Sequence, residues 1–209
     1  MLFDDPAKLV PDEILEWFGF CSYGLNQTRR LCRDALPKGV VPPGISADSL
    51  VELTPSEIDE YFDSCQSELD LFTILALIAS IEAKIRMDAK KRYRTKGNRL
   101  SGRLLILFKE EKTKQLWKVP LYESGILEAW KWYIQIGLSI SSSEKDRLIG
   151  KIGKFKELLR IRHWVAHGRY WPLQLNFKKY PPELVCEAIE DLHGVLESAA
   201  LHGKLAAFL

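Results

Sequence analysis

Apolar side chains recur at intervals of three and four residues along most of this chain, and proline and glycine interrupt the pattern at a few places. That period is typical of helices with one buried face. No stretch shows the sustained alternation of apolar and polar residues that is typical of a half-buried strand. The sequence therefore predicts an all-α fold, a bundle of four or five main helices with a short helical N-terminal extension.

The proline- and glycine-rich stretch 37–44 divides the chain, because its consecutive prolines cannot continue a helix. We therefore predict a helical extension over residues 1–50 and a main helical domain over residues 51–209. The extension shows two short apolar pieces within residues 12–36. Of the 209 residues 46% are hydrophobic, which is enough for one core of ordinary size.

The main domain opens with a helix-start signal at Thr54, Pro55 and Glu57. Thr54 can cap the helix, proline suits its first position, and Glu57 completes a capping box. The periodic pattern then continues for about 40 residues, and one helix of that length would exceed about 50 Å. We therefore expect a break near residues 63–67.

Later segments repeat the helical pattern. Further helices are predicted over about residues 121–138, 142–168 and 182–206. Residues 100–112 suit either a buried helix or a short strand, because an apolar run of that length does not distinguish the two.

Other sequence features exclude whole classes of protein. The longest apolar run, from Leu71 to Ile81, has 11 residues, short of the ~18 that a membrane span needs. The first residues are acidic, where a secretory signal would be basic and then apolar. The four cysteines are scattered without a CxxC pair. They indicate reduced thiols in a cytoplasmic protein, and we predict no metal and no other cofactor.

Charge is distributed unevenly. Residues 1–83 carry 5 basic and 15 acidic side chains, whereas residues 84–169 carry 22 and 8. The basic segment indicates either a polyanionic partner or a contact with the acidic first third. Nine of its cations lie between residues 84 and 103, and such arrays hold RNA phosphates. A solvated helix end is the alternative. The residues predicted to bind RNA are Lys90, Lys91, Arg92, Arg94 and Arg160.

Two of the four histidines lie close together, within residues 160–169. Arg162 falls on the buried stripe of its predicted helix, where a guanidinium normally needs a partner or a function. His167 precedes Gly168, the residue type that often ends a helix. Histidine can exchange a proton with a ribose hydroxyl, and arginine can hold the phosphate beside it. The same residues also suit an ordinary helix C-terminus, whose dipole favours cations.

The spacing Arg162-x4-His167, with Ala-His-Gly at the helix end, resembles the Rx4–6H motif of HEPN domains. These are all-α domains, and many of them are metal-independent endoribonucleases. The resemblance implies that His167 is the acid and base, that Arg162 binds the phosphate, and that His163 orients the site.

The resemblance extends over about residues 55–205. The segment 77–86 is similar to the earlier core helix of HEPN proteins, which implies that the acidic Glu82 faces the motif arginine. One position departs from the family. A subgroup of HEPN toxins carries tyrosine two residues after the histidine, where a partner enzyme modifies it. Here Arg169 occupies that place and Tyr170 follows, so we interpret Tyr170 as a packing or base-stacking residue.

The motif also has a geometric consequence. Arg162 and His167 point about 140° apart on an ideal helix, so one straight helix cannot aim both at one phosphate. HEPN ribonucleases are typically dimers in which two motifs meet at the interface. The resemblance therefore implies a homodimer that cleaves RNA, an antitoxin or regulatory protein as partner, and a role in toxin biology or antiphage defence.

Two other interpretations stay open. His163 and His167 have the spacing of a zinc-hydrolase helix, although Trp164 stands where the general base would be. The stronger alternative is a non-catalytic HEPN-like module that binds RNA, nucleotides or protein. The helix over residues 182–206 suits an interface as well as a core.

Overall fold

The computed structural model describes five ranges of the chain, residues 10–45, 53–95, 97–110, 118–166 and 179–208. Every regular element in these ranges is helical and none is a strand, which confirms the all-α prediction. Among the same residues, no helix combines the length and the apolar character that crossing a membrane requires.

Within these five ranges, six α-helices follow one another. They are α1 (Pro11–Ala35), α2 (Pro55–Tyr93), α3 (Arg99–Glu110), α4 (Ile126–Trp132), α5 (Ser142–Ala166) and α6 (Pro182–His202). A short 3-10 turn, Leu36–Lys38, follows α1, and a π-helical turn, Tyr133–Gly137, follows α4. The segment that suited a helix or a strand is thus helical as far as Glu110.

Helix α1 is one helix of 25 residues rather than two short pieces. It runs antiparallel to α2 and is joined to it by polar contacts along its length. Arg29 donates from Nε to Asp59 Oδ1 at 2.8 Å and from Nη1 to Asp63 Oδ1 at 2.6 Å. Ser22 Oγ donates to Gln66 Oε1 at 3.0 Å. The predicted extension therefore packs along the first half of α2.

Helix α2 is continuous over 39 residues, so the predicted break near residues 63–67 is wrong. The capping box at its start is confirmed: Thr54 Oγ1 accepts from the Glu57 amide at 3.3 Å, and Glu57 Oε2 accepts from the Thr54 amide at 2.7 Å. The helix is about 58 Å long at 1.5 Å per residue. That length is stable because α1 covers the first half and the bundle covers the second half.

The bundle has one main apolar core, to which α2 to α6 contribute and which Ile14 of α1 joins. Trp130 and Phe155 are its largest fully buried side chains. A smaller cluster lies between α1 and the first half of α2, and it contains Cys32, Leu36, Ile58 and Phe62. The long helix α2 thus connects two separately packed regions.

The turn before α4 replaces the first part of the helix predicted over residues 121–138. Glu123 and Ser124 have positive φ angles of 53° and 71°, which a helix does not allow. A Cβ on Gly125 would lie 2.0 Å from the Pro120 carbonyl oxygen, so only glycine fits there. This tight turn brings residues 118–123 against α2 and α5.

Candidate functional site

A cleft of about 340 Å³ lies between the middle of α2, the end of α5 and the turn at residues 118–123. Its walls carry charged and polar side chains above an apolar floor that includes Leu121 and Leu159. The charged and imidazole side chains that line it are Glu82, Arg86, Lys118, Glu123, Arg162 and His163. Three elements that are distant in sequence therefore build one polar cleft.

Glu82 and Arg162 lie together in this cleft, in the arrangement that the sequence implied. Arg162 Nε is 3.3 Å from Glu82 Oε2, and their side chains are 37% and 14% exposed. Although the Nε atom is buried, it forms no hydrogen bond with any residue that the structure describes. Charge attraction therefore holds the pair together, because the Nε–H bond does not point at the carboxylate oxygen.

Arg86 occupies the other oxygen of Glu82. Its Nε and Nη2 atoms donate to Glu82 Oε1 at 3.0 and 2.8 Å, and Nη1 donates to the carbonyl oxygen of Val119. Glu82 thus divides its carboxylate between two guanidinium groups. The sequence analysis did not select Arg86, although its position four residues after Glu82 on a helix is a signal that could have found it.

The cleft carries an excess of positive charge that suits an anion. Arg86, Arg162 and Lys118 face two carboxylates, those of Glu82 and Glu123. Arginine guanidinium groups held by a carboxylate keep a fixed orientation, and they bind phosphate through the nitrogens that remain accessible. The sequence did not select Lys118 either. It lies on a turn, and no pattern in the sequence predicts that this turn approaches α2.

The histidines of the motif are only partly described. His163 is exposed, and it lies beside Arg162 on the wall of the cleft. His167 is one residue beyond the described end of α5, so it lies outside the described residues. Arg169 and Tyr170 lie outside them as well.

The predicted RNA-binding residues of α2 point in different directions. Lys90, Lys91 and Arg94 are all exposed. At 100° per residue, Lys90 lies about 80° around the helix from Glu82, whereas Lys91 lies about 180° away. Lys90 therefore lies nearer to the direction of Glu82 than Lys91, which lies on the opposite side of the helix, and neither lysine lines the cleft.

An aromatic stack lies near the end of α2. The rings of Tyr93 and Phe108 are parallel, with centroids 4.4 Å apart, and the Arg94 guanidinium lies 5.7 Å from the Tyr93 ring. Tyr93 is about 20° around α2 from Glu82, so it shares the direction of the cleft. Exposed cations beside a half-buried aromatic pair are typical of a surface that receives nucleotides.

Arg92 differs from its neighbours because it is buried. Its Nε donates to Asp88 Oδ2 at 2.6 Å, its Nη2 donates to the Ala206 carbonyl oxygen at 3.0 Å, and its guanidinium lies 5.0 Å from the centre of the Trp130 ring. The prediction that Arg92 binds RNA is therefore corrected. Its side chain faces the core and binds the backbone at Ala206, so it is not accessible to RNA.

Arg160 is exposed but does not belong to the cleft. It lies two residues before Arg162, which places it about 160° around α5. The structure therefore separates two arginines that the sequence places in one basic run, and it brings only Arg162 to the cleft.

Comparisons of the chain with protein-family models, with curated proteins and with solved structures found no match. The likeness to HEPN domains therefore rests on the Arg162-x4-His167 motif and its helical setting, and it stays a prediction.

Proposed function

We propose that this chain is a metal-independent endoribonuclease that uses the Arg162-x4-His167 motif in a cleft completed by a second copy of the chain. The observation that carries the proposal is the partly exposed Arg162, which Glu82 holds in a positively charged cleft next to His163. An arginine so held is suited to a phosphodiester, since its orientation is set before the anion arrives.

The chemistry follows from these groups. Arg162 holds a non-bridging oxygen of the scissile phosphate, and Arg86 and Lys118 add positive charge to the cleft. His167 takes the proton from the ribose 2′-hydroxyl, whose oxygen attacks the phosphorus. The bond from phosphorus to the 5′-oxygen breaks, and that oxygen receives a proton from a protonated His167. The products are a 2′,3′-cyclic phosphate and a 5′-hydroxyl, and no metal ion is required because the nucleophile belongs to the substrate.

A homodimer supplies the second half of the site. Because Arg162 and His167 diverge by about 140° on one helix, two copies of the motif facing each other can bring an arginine and a histidine to the same phosphate. In this arrangement His163, which lies on the cleft wall, orients the neighbouring imidazole or the phosphate. An antitoxin or other regulatory protein would act by covering the cleft or by separating the two copies.

The RNA strand is proposed to leave the cleft along α2. Lys90 and Arg94 are exposed cations near the end of α2, and the Tyr93 ring lies beside Arg94. Contacts of this kind bind the backbone and the face of a base without sequence selectivity. The proposed substrate is therefore single-stranded RNA longer than the scissile dinucleotide.

The test is cleavage of mixed RNA by the purified full-length protein in excess EDTA. The wild type, His167→Ala and Arg162→Ala are compared with Arg160→Ala, which removes an exposed arginine from the same helix on its far side. Cleavage by the wild type and Arg160→Ala, with loss in the other two variants, supports the proposal. Cleavage by all four proteins identifies a contaminant and contradicts it.

Binding without cleavage would favour the alternative, a non-catalytic module that holds RNA or nucleotides. The same cleft supports that function, since its cations hold phosphate whether or not the histidine acts. Capture of the RNA by the wild type, His167→Ala and Arg160→Ala, with weaker capture by Arg162→Ala and no 2′,3′-cyclic phosphate in any sample, would replace the nuclease proposal with this one.

A further inference from the structure

Three side chains that commonly bind metal ions converge where the start of α1 meets α6, away from the cleft. They are Asp12 in the first turn of α1, and Cys186 and Glu190, one turn apart on α6. Their ligand atoms, one thiol sulfur and two carboxylate oxygens, all lie within 4.8 Å of one another. Two elements from opposite ends of the chain thus present a mixed sulfur and oxygen set.

Cys186 distinguishes this cluster from a patch of surface acids. Its side chain is 4% exposed, and its thiol has no hydrogen bond to any residue that the structure describes. The thiol is instead packed against two carboxylates. A divalent cation between the sulfur and the two carboxylates would offset the negative charge of the two acids.

We propose that Asp12, Cys186 and Glu190 bind a divalent transition-metal ion, with Zn²⁺ as the best fit. Zinc holds sulfur at about 2.3 Å and carboxylate oxygen at about 2.0–2.2 Å, so its ligand atoms lie about 3.6 Å apart in a tetrahedral site. Small rotations of the two exposed carboxylates close the remaining distance. Magnesium and calcium fit poorly, because both prefer a shell of oxygen atoms alone.

Asp12 and Glu190 also line a cavity of about 280 Å³ together with His193, and a fourth ligand would reach the ion from there. His193 lies seven residues after Cys186, about 20° around α6, so it follows on the same side of the helix. The ion would fasten the first turn of α1 to α6. It shares no residue with the cleft, and its role is structural.

Lys84 lines the same cavity and is the alternative source of positive charge. An ammonium group near the carboxylates would reduce their repulsion without any metal. The two possibilities differ in a measurable way, because only the metal requires the sulfur of Cys186.

The test uses the full-length protein, freed of metal with EDTA, returned to metal-free buffer and titrated with Co²⁺ and then with Zn²⁺. We expect one Co²⁺ per chain, a thiolate-to-cobalt absorption band in the near ultraviolet, displacement by Zn²⁺ and a higher melting temperature with zinc. Cys186→Ser should abolish the band, whereas Cys65→Ser, which changes a half-buried thiol on α2, should keep it.

Asp12→Asn and Glu190→Gln provide the second arm, because both side chains are exposed and their loss leaves the core unchanged. Each should weaken the binding of Zn²⁺ at least about tenfold. The absence of a band in the wild type, or a band that survives Cys186→Ser, overturns the proposal and leaves Lys84 as the counter-charge. This titration is independent of RNA cleavage, so either proposal can fail alone.

Discussion

Two carboxylates of α2 pair with arginines, and the two pairs differ in how far the protein covers them. Asp88 and Arg92 are 1% and 6% exposed, and a hydrogen bond of 2.6 Å joins them. Glu82 and Arg162 border an open cleft, and their 3.3 Å contact lacks hydrogen-bond geometry. The two carboxylates are only six residues apart on one helix. The same residue types therefore serve as a buried tie in one place and as an open cationic site in the other.

The distinction arises from neighbours that are remote in sequence. The segment around Ala206 accepts a hydrogen bond from Arg92, and the Trp130 ring lies against the same guanidinium. Nothing among the described residues closes the cleft in that way over Arg162. A guanidinium that the protein leaves partly uncovered is the one available to an anion.

The largest effect is expected from Arg92→Ala. The substitution leaves the buried Asp88 carboxylate without its guanidinium and frees the Ala206 carbonyl, so the free energy of unfolding should fall by about 3–5 kcal/mol. Urea unfolding measures it. Arg94→Ala is the control: it removes an exposed arginine two residues away and should change stability by less than about 0.5 kcal/mol. Equal losses of unfolding free energy in the two variants would contradict the structural role of the buried Arg92.

Arg162→Ala should act on chemistry instead of stability. If the proposed ribonuclease is correct, the rate of RNA cleavage should fall about 100- to 1,000-fold, because one charge-stabilising group at the phosphate is lost. The free energy of unfolding should change by less than about 1 kcal/mol, since the pair is partly solvated. Single-turnover cleavage and urea unfolding are measured on the same samples. A loss of stability as large as that of Arg92→Ala would mean that the Glu82–Arg162 pair stabilises the fold in the same way as the Asp88–Arg92 pair.

Glu82→Gln tests whether the carboxylate positions both cleft arginines. Glutamine keeps the size of the side chain and removes its charge, so Arg86 and Arg162 lose their shared anchor. We expect a smaller loss of cleavage than for Arg162→Ala, about tenfold, with most of it in the turnover rate. Glu82→Asp keeps the charge and should recover part of the activity. A variant as active as the wild type would show that Arg162 needs no positioning group.

The smallest effect is expected from Lys90→Ala, compared with Lys91→Ala. The two exposed lysines are adjacent, but Lys90 lies about 80° around α2 from Glu82, whereas Lys91 lies about 180° away. Lys90→Ala should weaken RNA binding a few-fold and reduce the slope of log affinity against log salt by about one, whereas Lys91→Ala should change neither. Equal losses in fluorescence-polarisation titrations would mean that the RNA does not follow this face.

Local signals predicted the helices well where packing agrees with them. The capping box at Thr54 and Glu57 appears in the structure as the sequence indicated. The break near residues 63–67 was predicted from length alone, and it is absent because α1 covers that stretch. A helix of this length is unstable in isolation but stable when a second helix buries its face.

The candidate site likewise combines residues that the sequence predicted with residues that only the packing of the helices brought in. The juxtaposition of Glu82 and Arg162 followed from the resemblance, and the structure brings the two together. Arg86 joins Glu82 through their spacing of four residues on α2, whereas Lys118 reaches the cleft only through the turn that Gly125 allows. Arg92 was predicted to bind RNA because it belongs to a run of basic residues. The sequence does not show which of these residues face the core once the helix is packed. His167, the proposed acid and base, lies outside the described residues.

The sequence alone determined the helical class, the start of α2 and the basic middle of the chain, because periodicity, capping and charge are local properties. Only the tertiary structure decided which cations are buried, which line the cleft and which face away. It also brought the first turn of α1 to Cys186 and Glu190. Such choices depend on contacts between residues far apart in the chain, and those contacts depend on how the helices pack against each other.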